Sequence, residues 1–177
     1  IFGILILINI CRDQVKLNAG LFYPLSLGLG LCASALCTFL TFLTFGSFQP
    51  KIMLGTHLLF IMLLAVFGRK HLHWKNPLQT LSRNWKLIFL AIPFGLLVYC
   101  SILVANYQPF GAWDAWAVYN LKFRFLVLGG ENWNAIFKDL HWYTQPDYPL
   151  MVPFIYTWIY SFAQNDLNLI PRLTGIV

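Results

Sequence analysis

The stretch LFYPLSLGLGLCASALCTFLTFLTF, residues 21–45, carries no charged side chain from end to end. A helix rises about 1.5 Å per residue and the hydrocarbon core of a bilayer is about 30 Å thick, so about 20 apolar residues make a crossing. Leu21–Phe45 is long enough to cross with some tilt. The runs on either side repeat the signal. Ile1–Ile10 reads as a half-span cut short, and the chain looks like a piece of something longer. Ile52–Phe67 is a shorter run that carries His57, and Leu87–Ala105 is charge-free with Pro93 and Gly95 inside it. Such breakers are tolerated in lipid where neighbouring helices satisfy the freed backbone groups. Met151–Ala163 is short and aromatic, barely spanning even when it borrows Tyr148–Leu150, and Pro171–Val177 begins a further run.

Composition agrees. Of 177 residues, 59% are apolar and 10% charged, far below the roughly 25% charged residues of a soluble domain. The expected fold is all-α: a polytopic transmembrane bundle of about four to five spans plus a partial one. Three regions follow: helices and loops over residues 1–105, a large loop over 106–149, and a last helix with the start of the next over 150–177.

Twelve Lys and Arg against six Asp and Glu give a net charge of +6. These cations sit between apolar segments instead of covering one face, which fits the positive-inside bias and not a nucleic-acid partner. Residues 68–86 hold Arg69, Lys70, Lys75, Arg83 and Lys86 with no acid, and read as a cytoplasmic loop. The following span then delivers 106–149 to the opposite side, and Met151–Ala163 returns the chain to the cytoplasm. Cys11, Cys32, Cys37 and Cys100 lie in or beside apolar runs without a CxxC pair, so buried thiols are expected, not a disulfide framework or a zinc site.

The acids gather in the large loop: Asp114, Glu131, Asp139 and Asp147, with only Asp13 and Asp166 elsewhere. Loops of that length are uncommon as plain connectors. Trp113, Trp116, Trp133 and Trp142 argue that this one folds. Residues 112–128 (AWDAWAVYNLKFRFLVL) read as a helix in which Trp116, Tyr119, Phe123 and Val127 share a face opposite Asp114. An aromatic face suits the headgroup boundary, so the helix is expected to lie amphipathically in the interface. Gly129-Gly130 stops it, and Pro146-Asp147-Tyr148-Pro149 fixes a non-helical entry to the next apolar run. Each candidate also has a plain structural role. Asp114 can cap a helix, Asp147 can form an Asx turn, and Lys122 and Arg124 can snorkel to lipid phosphates. A lone histidine such as His141 is more often a hydrogen-bonded structural group than a catalyst, and His57, His71 and His73 show no metal-ligand spacing.

Residues Gly111 to Arg172, about a third of the chain, resemble the GT-C superfamily of polytopic glycosyltransferases. That group includes protein O-mannosyltransferases, lipid A aminoarabinose transferases and rhizobial lipopolysaccharide core transferases. The counterparts run in order: Trp113-Asp114-Ala115-Trp116, Tyr119 to Gly130, Pro146-Asp147-Tyr148-Pro149-Leu150, and Pro171-Arg172-Leu173. Ala115 stands where the superfamily often has a second acid, and Asp147 stands in a proline motif that often lacks one.

The resemblance implies transfer of a sugar from a polyprenyl-phosphate donor to a lipid, glycan or protein acceptor on the non-cytoplasmic side. It implies an integral multi-pass protein of the bacterial inner membrane, with membrane lipids as surroundings. Asp114 and Asp147 are the catalytic candidates, Asp114 as a base for the acceptor hydroxyl. Lys122, Arg124, Glu131, His141 and Tyr148 are the substrate-binding candidates. A divalent cation, Mg or Mn, is a possible cofactor, though one or two carboxylates make a weak ion site. The competing class is a transporter or scaffold subunit without chemistry. The runs hold no ionisable residue besides His57, which weighs against an ion-coupled transporter.

Overall fold

The computed structural model describes residues 1–11, 19–69, 88–108, 115–138, 145, 147–164, 167–168 and 170–171. Every regular element among them is helical. In chain order they are α1 (Phe2–Cys11), α2 (Ala19–Phe45), α3 (Pro50–Gly68), α4 (Ile88–Tyr107), a π-helical run (Ala115–Asn120), α5 (Leu121–Leu128), a 3-10 helix (Gly130–Phe137) and α6 (Met151–Ala163). Two of these segments, Leu21–Phe45 and Pro50–Gly68, are long and apolar enough to cross a membrane, judged by length and composition. Gly95–Tyr107 within α4 and the whole of α6 are shorter apolar helices. The basic loop expected over 68–86 lies, apart from Gly68 and Arg69, outside the described residues.

The chain divides into two compact units, Ile1–Ala33 with His57–Leu97, and Ser34–Thr56 with Val98–Val177. In the first, α1 and α2 cross backbone to backbone. A side-chain carbon added to Gly3 would collide with the carbonyl oxygen of Ser26 and the amide of Gly30. Small residues permit so close an approach of two helix backbones. Asn9 supplies the polar tie: its Nδ2 donates to the carbonyls of Leu5 at 2.8 Å and Leu64 at 3.0 Å, linking α1 to α3. Phe2 meets the His57 ring edge-on.

The second unit holds the functional candidates. The hydroxyls of Thr38 and Thr41 bond to carbonyls four residues back, so the end of α2 buries them at little cost. Gly46, with φ of +68°, ends α2 in the left-handed conformation that glycine adopts without penalty. Beyond it, Phe42 of α2, Met53 of α3, Leu126 of α5 and Phe154 of α6 form one buried cluster, with Phe39, Phe48 and Trp133 packed against it. A second cluster joins Phe123, Tyr156 and Ile170, flanked by Tyr119, Val127, Ile159 and Tyr160.

This second cluster corrects the expectation for 112–128. Residues 112–114 lie outside the described set, and the remainder is a π-helical run followed by an α-helix. The face bearing Tyr119, Phe123 and Val127 is packed on α6 and is not turned to a headgroup layer; Phe123 is 0% exposed. The reason is local. Tyr156 and Tyr160 offer matching aromatic edges, their ring centroids each 5.9 Å from that of Phe123. Only Trp116 keeps an exposed ring. The thiols depart from expectation in one respect: Cys32, Cys37 and Cys100 form no disulfide, but Cys32 and Cys100 are exposed and only Cys37 is buried.

Candidate functional site

Lys122 organises the site. Its neighbours in α5 are mostly apolar, and the packing that buries Phe123 and Leu126 buries Lys122 as well, to 0% exposure. A buried ammonium must be hydrogen-bonded. Nζ donates to the carbonyl oxygen of Gln145 at 2.7 Å and more weakly to that of Tyr148 at 3.4 Å. Burial pushes this lysine below its ordinary value, and the neighbouring Asp147 carboxylate acts in the opposite direction. The side chain is therefore directed at the proline-flanked entry to α6 and away from solvent.

That entry is an irregular turn. Gln145 has a φ of +49°, and its carbonyl oxygen also accepts the amide of Tyr148 at 3.0 Å. The turn exposes Asp147 and Tyr148 immediately before α6 begins. The arrangement thus gives an anchored backbone, a solvent-facing acid and an adjacent solvent-facing phenol.

Arg124 faces another way. Its guanidinium donates to the side-chain oxygen of Asn168, in the turn that follows α6. Glu131 lies exposed in the first turn of the 3-10 helix. The glycine pair before it has two separate tasks. A side chain on Gly129 would strike the Phe125 carbonyl and come within 2.9 Å of the Trp133 backbone, whereas Gly130 has open space but a φ of +55°.

Of the residues singled out from sequence, Lys122 and Asp147 are brought together, and Tyr148 joins them through its carbonyl. Arg124 is engaged separately, and Asp114 and His141 lie outside the described residues. The partners of the two cations, Gln145 and Asn168, were not signalled by any motif. A lysine inside an otherwise apolar run was the available clue, since such a group is rarely buried without partners. Among the described residues no group of three or more His, Cys, Asp or Glu side chains is placed to hold a metal ion.

Comparison with known protein families, with characterised proteins and with solved structures gives no match to this chain. The described residues are all-helical where regular, and two of their helices are long and apolar enough to cross a membrane.

Proposed function

We propose that the chain is a polytopic membrane glycosyltransferase of the GT-C type, with several spans among its helices. It transfers a sugar from a polyprenyl-phosphate donor to an acceptor outside the cytoplasm. The observation that carries this reading is the anchored turn at residues 145–149, which exposes Asp147 beside Tyr148 at the foot of an aromatic helix. The resemblance over 111–172 supplies the chemistry. Many α2 and α3 side chains, such as Leu27, Leu36, Leu43, Leu58, Met62 and Phe67, are exposed and apolar, which lipid would accommodate.

In this mechanism Asp114 accepts the proton of the acceptor hydroxyl as the sugar leaves its phosphate. General-base assistance of this kind contributes about 10²–10⁴-fold. Asp147 orients the acceptor. Lys122, engaged with two carbonyl oxygens, is a positioning residue for Asp147. The test is transfer of radiolabelled sugar from a polyprenyl-phosphate donor by membranes carrying the complete protein. Asp114→Asn and Asp147→Asn should each lower transfer while the protein still accumulates in the membrane. Undiminished transfer by both variants would exclude this reading.

A further inference from the structure

We infer that α6 does not carry the chain across a membrane: it leaves on the side from which it entered, so that Gln164 and Asn168 lie on the same side as Gln145 and Tyr148. The inference rests on the membrane setting of the proposed function but not on its chemistry.

Length is the first ground. The 13 residues of α6 extend about 20 Å, against about 30 Å of hydrocarbon, and apolar runs of this length are more often core helices or re-entrant or interfacial segments than crossings. Its end is also definite: Gln164 turns left-handed at a φ of +44° and closes the helix on the Tyr160 carbonyl.

The grip on its two flanks is the second. Lys122 holds the turn before α6, and Arg124 holds Asn168 after it. These two residues are separated by only about 3 Å of helical rise, and with both side chains extended they bridge on the order of 20 Å. Flanks tied to such close posts do not stand on opposite faces of a bilayer. Ile170 strengthens the point by returning to pack with Phe123 and Tyr156.

Direction is the third. Phe154, near the start of α6, packs on Phe39 and Phe42 in the last turns of α2. Tyr160, near its end, packs on Phe48, in the connection that joins α2 to α3. So α6 advances toward the end of α2 where the chain turns back. A helix that entered from that end and crossed would run the other way.

Single cysteines in the complete protein, with Cys11, Cys32, Cys37 and Cys100 replaced by serine, test this with a membrane-impermeant maleimide. Gln145→Cys and Gln164→Cys report the two flanks of α6, with Ala163→Cys as a second report on the far flank. Gln49→Cys and Arg69→Cys bracket α3 as the control for crossing. The expected result is that both flanks label equally in intact cells, while Gln49→Cys and Arg69→Cys label from opposite faces. Opposite labelling of the α6 flanks, with the α3 control intact, overturns the inference alone. Labelling of Gln49→Cys and Arg69→Cys from one face overturns the membrane setting and the inference with it. Sugar transfer bears on neither result, so a failed chemistry is told apart from a failed topology.

Discussion

The ammonium of Lys122 is bonded to the carbonyl oxygen of Gln145, 2.7 Å away and 23 residues further along the chain. This contact fixes the backbone of a proline-flanked turn from below, and it makes the stability of the site depend on one buried cation. Lys122→Met keeps the apolar packing of the stem but leaves the carbonyls without their donor. A loss of about 1–3 kcal/mol is expected. It would be read as a lower unfolding midpoint in detergent, and Lys122→Arg should recover part of it.

The same residue sets a pH dependence. Burial lowers its proton affinity in the folded chain below the ordinary lysine value of 10.5, against the pull of Asp147. Between the lowered value and 10.5 the unfolded chain binds more protons, so stability rises with pH across that window. Unfolding midpoints should climb toward alkaline pH and level off near 10.5. The climb should be absent in Lys122→Met, and a slope unchanged by that substitution would assign it to other groups.

Phe123 and Trp116 belong to the same helical segment yet should respond differently. Phe123→Ala removes a fully buried ring from between Tyr156 and Tyr160 and should cost about 3–5 kcal/mol. Trp116→Ala, at a 42% exposed position, should cost far less. Equal sensitivity of the two in thermal unfolding would contradict the packed face.

The glycine pair should also separate. Gly129→Ala forces a carbon against the Phe125 carbonyl and the Trp133 backbone, so it should prevent α5 from meeting the 3-10 helix. Gly130→Ala meets open space and suffers only the left-handed backbone, a cost of about 1–2 kcal/mol. Gly130→Asn should recover much of that, whereas Gly129→Asn should be at least as damaging as Gly129→Ala. Expression level and unfolding midpoint read both.

Asp147→Asn is the sharpest probe of chemistry, because its side chain is exposed and supports no packing. Activity should fall steeply, while the unfolding midpoint drops only by the loss of the carboxylate's attraction for Lys122. Lys122→Met should lower both together.

Helices were legible because charge-free runs and glycine or proline stops are written locally. Met151–Ala163 in the sequence has the same bounds in the structure, and Gly129 ends α5 as its position implies. Partnerships were not legible in the same way. Periodicity shows that Tyr119, Phe123 and Val127 share a face but not whether lipid or protein covers it, since both reward the same apolar surface. The hold of Lys122 on Gln145 uses a backbone carbonyl, and every residue has one, so no side-chain pattern announces it. Glu131 and Tyr148 sit exposed, where sequence alone could name them but not say what they meet.

Lys122, Phe123 and Arg124 are consecutive, and consecutive helical side chains point about 100° apart. They touch, in turn, the segment before α6, the helix itself and the turn after it. The described residues between 145 and 170 are therefore wound part of the way around α5 like ribbon on a spool. A ribbon can be wound only once its spool exists. The ribosome releases α5 before residues 145–170, so the spool is available when the ribbon emerges.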